Sequence, residues 1–232
     1  LFRSFGRKDI VFDKKRMGSV FRLGLPIAFQ DLLVSISFLA ITAIVNSLGV
    51  IPSAGVGVAE KLCGFIMLVP SAFNQSMSAF VAQNMGAGKA ERAKKALFTG
   101  VGLSLAVGVF MAWLAFFHGD LLAGLFARDA AVIAAAAEYL KAYAIDCLLV
   151  SIMFCMIGYF NGCQKTLFVM IQGIVGAFCV RIPVSLFMSR LKPVSLFKVG
   201  LATPCSSIVQ IALCLGYFIL LPRKKLLPEQ ER

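Results

Sequence analysis

Two apolar stretches near the amino end of this sequence contain polar side chains that could bind a small cation. Gln30, Asp31 and Asn46 lie in the first stretch, and Asn74 and Gln75 lie in the second. A carboxylate at membrane depth is costly unless it is paired, protonated or facing water, so it commonly marks a functional site. In a helical hairpin with its midpoint near residues 51 and 52, Asp31 would lie close to Asn74 and Gln75. The spacing predicts either a polar cluster that takes up a proton or cation, or a hydrogen-bonded network between helices.

Asp146 and Arg181 are a second set of charged residues inside apolar stretches. They lie almost equally far along the chain on either side of a short turn at residue 164, so a helical hairpin would bring them level. The spacing predicts a buried ion pair, which would either stabilise the fold or break as a gate in a conformational change. Asp31 is expected in the inner half of the membrane and Asp146 in the outer half, so no carboxylate dyad is predicted.

The sequence does not favour a metal site, a disulfide framework or an enzyme. The seven cysteines lie in or at the ends of apolar stretches without a CxxC pair, and the single histidine, His118, has no companion at metal-ligand spacing. No Ser/His pair and no GxGD-like acid pair is present. We therefore expect no catalytic residues, no metal and no bound cofactor.

The composition indicates an integral membrane protein. Hydrophobic residues make up 59% of the 232 residues and charged residues only 15%, and the mean hydropathy is +0.88. Six apolar stretches have the length of a membrane-spanning helix. The predicted fold is an all-α membrane protein with six spans, at about 23–48, 62–82, 97–117, 142–162, 166–188 and 199–221. Residues 49–55 are predicted as an outer loop and 119–141 as a short helix at the outer interface.

The distribution of basic residues predicts the orientation. The proposed inner segments hold 16 Lys and Arg residues, and the proposed outer segments hold 5. This bias predicts that both termini are cytoplasmic, with residues 1–22 as a juxtamembrane segment and 223–232 as a tail. The net charge of +12 is explained by these short loops, so no nucleic-acid partner is expected.

Several short motifs lie within the predicted spans or at their ends. The most specific is the loop QNMGAGK after the second span. The motifs are LGLPI at 23–27 with Gln30, VNSLG at 45–49, QNMGAGK at 83–89 with Arg92 and Ala93, YFNG at 159–162, and RIP at 181–183. Together they resemble motifs of the multidrug and toxic compound extrusion (MATE) transporters. The resemblance covers nearly all of the chain but only one of the two six-helix lobes of that family. It implies the second lobe, with residues 1–22 as the linker between lobes.

The resemblance implies a secondary antiporter of the plasma membrane that exports organic, often cationic compounds in exchange for H⁺ or Na⁺. Gln30, Asp31, Asn46 and Asn74 would then line the central cleft. Cation-coupled relatives carry acids in the first and fourth spans of this lobe, at the positions of Val34 and Val150 here. This chain departs from that pattern, and Asp31 and Asp146 are neighbours of those positions in sequence.

The implied partners are a small organic substrate, the lipid bilayer, and the first six-helix lobe or a second copy of this chain. Two alternatives remain open from the sequence. One is a flippase for lipid-linked oligosaccharides from the same superfamily, which would need a cationic cavity for pyrophosphate; Arg181 is its one supporting residue. The other is an inactive half-size or fragment membrane protein.

Overall fold

The structure is a computed structural model that describes residues 13–220, apart from the side chains of Lys15 and Arg16. This part of the chain is helical apart from short turns, and it contains no strand. The helices are α1 (Lys14–Asn46), α2 (Val50–Ile66), α3 (Leu68–Gly86), α4 (Ala90–Phe117), α5 (Gly119–Gly124), α6 (Ala130–Gly162), α7 (Thr166–Ile174), a π-helix (Val175–Arg181), α8 (Ile182–Arg190), α9 (Leu196–Gly200) and α10 (Ala202–Leu220). The predicted tail and residues 1–12 lie outside the described residues.

Six segments of the described chain are long and apolar enough to cross a membrane, as the sequence predicts. They are Met17–Asn46, Val50–Gly86, Ala90–Phe117, Ala130–Gly162, Thr166–Arg190 and Leu196–Leu220. A helix satisfies all of its backbone hydrogen bonds within one segment, which is why long apolar runs adopt it in lipid. The second segment is interrupted at Met67, shortly before Pro70, whose ring nitrogen cannot donate to the preceding turn.

Four predicted boundaries differ from the structure because the helices continue beyond the predicted spans. α1 begins at Lys14, so residues 14–22 form a continuous helix with the first span and Pro26 lies in its interior. The predicted loop 49–55 is helical from Val50, and α4 begins before the predicted residue 97. The predicted interfacial helix 119–141 is divided between α5 and the first turns of α6.

α6 begins early for a local reason. Asp129 precedes it, and the Asp129 carboxylate accepts a hydrogen bond of 2.8 Å from the Ala131 backbone N–H, which satisfies one of the free donors at the helix start. The residues that follow are mostly alanine, the best helix former. The capped, alanine-rich segment therefore extends the fourth span well before residue 142.

α6 is the central helix of the bundle. It packs against α2, α3, α4 and α10 and is buried along most of its length. Gly158 and Gly162 lie one turn apart and let the backbone of α3 approach closely. A Cβ atom at Gly158 would lie 2.5 Å from the Asn74 carbonyl oxygen, and one at Gly162 would lie 2.7 Å from the Ser78 carbonyl oxygen. Small residues at this spacing are typical of helix packing in membranes.

Candidate functional site

A cavity of about 970 Å³ lies within the bundle. Residues of α1, α2, α3, α6 and α10 form its walls, together with Arg181 at the end of the π-helix. Much of the wall is apolar and deformable, with Phe38, Met67, Met153 and Phe154 among the lining side chains. The volume lies at the upper end of the range of about 300–1,000 Å³ that binds drug-sized ligands.

Four of the polar residues singled out in the sequence line this cavity. They are Gln30 and Asp31 on α1 and Asn74 and Gln75 on α3. Gln30 is buried because α7 approaches it closely: a Cβ atom at Gly173 would lie 2.9 Å from the Gln30 side-chain nitrogen. No side-chain hydrogen bond joins any two of the four in the described part of the chain. They share a cavity rather than forming a direct network.

Asn46 is placed differently from the prediction. It is the last residue of α1 and does not line the cavity. Its side-chain oxygen accepts a hydrogen bond of 2.5 Å from the Ser53 hydroxyl, which links the end of α1 to the first turn of α2. The turn between the two helices is short, so Asn46 lies at the end of the hairpin, away from the cavity.

Asp146 and Arg181 both line the cavity but do not form the predicted ion pair. The Asp146 carboxylate accepts a hydrogen bond of 2.6 Å from the Ser207 hydroxyl, and the Arg181 guanidinium donates one of 3.1 Å to the Ser37 hydroxyl. No hydrogen bond joins the two residues to each other within residues 13–220. The equal distance from the turn correctly predicts that Asp146 and Arg181 lie in the same region. Their side chains do not meet, because Ser207 of α10 binds Asp146 and the π-helix sets the direction of Arg181.

The predicted difference in depth between the two acids stays a prediction, but they do not lie in separate sites. Asp31 lies beside the midpoint of α1 (Lys14–Asn46), and Asp146 lies at the midpoint of α6 (Ala130–Gly162). Both acids are therefore near the middle of their helices, and both line the same cavity.

Glu60 is a cavity residue that the sequence interpretation missed. It is half-buried, lines the cavity, and accepts a hydrogen bond of 3.1 Å from the Thr42 hydroxyl of α1. The second span was expected to begin at residue 62, so Glu60 was left outside it. The signal that could have found it is the charge-free run before Glu60, which is long enough to continue the helix outward.

The charges of the cavity favour a cationic ligand. Asp31, Glu60 and Asp146 contribute three carboxyl groups, and Arg181 is the one basic side chain among the lining residues in the described part of the chain. Val34 and Val150, at the positions where the family resemblance implies acids, also line the cavity. Residues 13–220 contain no group of three His, Cys, Asp or Glu side chains that could hold a metal ion.

A helical bundle of six membrane-length segments around a large cavity with both apolar and charged walls is the architecture of a transporter lobe. Comparison with known proteins identifies the family. The MatE family model matches residues 26–187, and the chain belongs to this family. The members of the family that it matches are transporters rather than enzymes.

The chain is similar to a probable multidrug resistance protein, YoeA, of Bacillus subtilis, with 23% identity over 219 residues. That match covers 94% of this chain and 47% of YoeA. A probable multidrug resistance protein, NorM, of Bacillus cereus is 27% identical over 119 residues, which are 51% of this chain and 26% of NorM. The chain thus spans about half the length, or less, of these curated relatives.

Solved structures show the same fold. A MOP superfamily transporter from Pyrococcus furiosus has a TM-score of 0.79 at 18% identity, over 91% of this chain and 48% of that one. A MATE protein in complex with MaD3S also gives 0.79, at 19% identity, over 91% and 49%. The described bundle therefore has the fold of about half of a MATE transporter.

Proposed function

We propose that this protein exports organic cations across the plasma membrane in exchange for H⁺ or Na⁺. The observation that supports the proposal is the cavity of about 970 Å³, with three carboxyl groups, one guanidinium group and mainly apolar walls. An amphipathic organic cation complements both its charge and its surface. The names of the relatives, which describe probable multidrug resistance proteins, agree with this substrate class.

A second six-span lobe is the proposed structural partner. It would come from the same polypeptide or from a second copy of this chain, and the two would rock against each other around the cavity to alternate its access. The relatives, which are about twice as long as this chain, support the first arrangement. The basic residues of the connecting segments support cytoplasmic termini. Recognition of a pyrophosphate-linked lipid receives less support, because the carboxyl groups of the cavity outnumber its single arginine.

The function is tested with the complete gene product in membrane vesicles. Efflux of a fluorescent organic cation is measured under an imposed proton gradient and, separately, under an imposed sodium gradient. Efflux driven by one of the two identifies the coupling ion. Efflux driven by neither gradient, from vesicles that contain the inserted protein, would refute the proposal.

Asp31 provides the residue-level test of this proposal. Asp31→Asn removes one negative charge from the cavity while preserving size, so efflux should fall by about tenfold, the equivalent of one lost interaction with a charged group. Asp120→Asn is the matched control, because Asp120 is exposed in α5 and lies outside the cavity. Both variants should insert normally. Equal efflux from the Asp31 variant and the control would remove Asp31 from the transport site.

A further inference from the structure

Arg181 holds a positive charge inside a cavity whose other charged residues are acidic. Its side chain is only 5% exposed. The guanidinium donates to the Ser37 hydroxyl at 3.1 Å, and its carbon atom lies 4.5 Å from the centre of the Phe38 ring. Both of these contacts are with α1. The buried charge of Arg181 is therefore held by a neutral hydroxyl and an aromatic face, not by a carboxylate.

Asp146 is the complementary feature. It is fully buried, and Ser207 satisfies only one of its two carboxylate oxygens. The second oxygen, Oδ2, has no hydrogen-bond partner, and neither has Nε of Arg181. An unpaired buried polar atom is unfavourable, and a buried charge without a partner is more so. Two opposite charges with free hydrogen-bonding capacity thus lie on the wall of one cavity without pairing.

The backbone that carries Arg181 has a geometry that can change. Arg181 is the last residue of the π-helix Val175–Arg181, which has more residues per turn than an α-helix. The Ser206 hydroxyl of α10 donates a hydrogen bond of 2.8 Å to the Gly176 carbonyl in its first turn. A return to α-helical geometry would rotate the residues at the end of this segment about its axis. Short π-helical segments are often found at functional sites.

We propose that the Arg181 guanidinium is an internal counter-cation that exchanges between two positions. In the first, seen in the structure, it lies on Ser37 and Phe38 of α1, and Asp146 is free to bind the coupling cation, a proton or a sodium ion. In the second it pairs with Asp146 and promotes release of that cation. Arg181 is thus a positioning residue that couples ion release to a movement of the fifth span against α1. The inference rests on the proposed cation exchange.

Other titratable and charged side chains of the cavity influence the charge at Asp146. The titratable or charged side chains of the cavity on the helices around Asp146 are Asp31 of α1, Glu60 and Cys63 of α2, Tyr139 and Tyr143 of α6, and Arg181. α3 and α10 contribute only uncharged polar and apolar side chains to this wall. Arg181 is therefore the one positive charge near Asp146 in the described cavity, and its position controls the local competition for a cation.

The test measures ion binding directly, so that it does not depend on export. The complete gene product is purified in detergent, and its melting temperature is recorded against sodium concentration at fixed pH and against pH without sodium. A ligand that binds only the folded state stabilises it by RT ln(1 + [L]/Kd), so a fit of the melting temperatures to this relation gives the half-saturating concentration or pH. Sodium and protons are thereby distinguished as the bound cation.

Two variants should shift this binding in opposite directions. Arg181→Gln removes the competing charge, so the cation should bind about tenfold more tightly or better, and for a proton the midpoint should move to higher pH. Phe38→Leu removes the aromatic face that holds Arg181 on α1, so Arg181 should pair with Asp146 and the cation should bind more weakly. Arg181→Lys retains the charge and should lie closer to wild type than Arg181→Gln.

The controls are matched to each variant. Arg190→Gln removes an exposed positive charge at the end of α8 of the same span, and Phe154→Leu removes another aromatic ring from the cavity wall. Neither should shift the midpoint. Opposite shifts for the two test variants support the proposal. Shifts in the same direction, no shift in either variant, or a wild-type protein that binds neither ion would overturn it. A protein that binds the ion as expected but exports nothing would refute the proposed function alone.

Discussion

Replacement of Gly158 by alanine should loosen the packing of α3 against α6, which forms part of the cavity wall. The added Cβ atom would lie 2.5 Å from the Asn74 carbonyl oxygen and 3.0 Å from the Cβ atom of Met77. Heavy atoms in contact prefer separations of about 3.5–4.0 Å, so the two helices would have to move apart by roughly 1 Å. Because the nearest atom belongs to the backbone, a side-chain rotation cannot relieve this contact.

The magnitude follows from two opposing effects. Overpacking of a well-packed helix contact costs about 1–3 kcal/mol. Alanine in place of glycine within a helix contributes up to about 1 kcal/mol in the opposite direction. We therefore expect a net destabilisation of about 1–2 kcal/mol. For a domain of this size that corresponds to a lower melting temperature by about 2–8 °C.

The assay is the loss of monodisperse protein after heating in detergent, followed by size-exclusion chromatography. Gly102→Ala is the matched control, because Gly102 lies within α4 with no atom within 4 Å of the position of an added Cβ. That control should melt at or slightly above the wild-type temperature. A Gly158→Ala protein that is as stable as wild type, or a control that loses the same stability, would refute the close contact between α3 and α6.

Two further predictions concern residues whose placement the structure decides. Asn46→Ala should leave efflux of an organic cation unchanged, because the side chain lies outside the cavity. It should lower the stability by only about 0.5–1.5 kcal/mol, because the side chain makes one hydrogen bond, to Ser53. A large loss of efflux from correctly inserted protein would contradict this placement. Ser207→Ala removes the single hydrogen bond of the buried Asp146 carboxylate and should cost about 1–3 kcal/mol, measured as a lower melting temperature. Ser189→Ala is its control, because the Ser189 hydroxyl donates only to a carbonyl of its own helix. Equal losses of stability in the two variants would show that the hydrogen bond to Asp146 does not stabilise the fold.

The sequence predicted the class of fold because the requirement on a membrane span is local. A helix in lipid must be long, apolar and hydrogen-bonded within itself, and each of these properties can be read from the residues of one segment. The helix starts were less predictable, because capping and alanine content extend a helix beyond its apolar section. At Asp129 those local effects moved the start of the fourth span well before residue 142. The second span begins at Val50 without a side-chain cap, so Glu60 lies within this span rather than before it.

The residues that line the cavity could be predicted only in part. Gln30, Asp31, Asn74 and Gln75 were found because a polar side chain in an apolar stretch is conspicuous and because hairpin geometry gives approximate depth. The direction of each side chain around its helix axis could not be read in this way. Asn46 was misplaced for another reason, because it is the last residue of α1 and lies at the end of the hairpin, away from the cavity.

The sequence by itself determined the number of spans and the family, because these follow from short-range composition and motifs. Only the tertiary structure decided that Asp31, Glu60 and Asp146 share one cavity, and that Arg181 turns to Phe38 on α1 instead of Asp146 on α6. The physical reason is that the rotation of each helix, and the π-helical turn that sets the direction of Arg181, result from packing between distant segments.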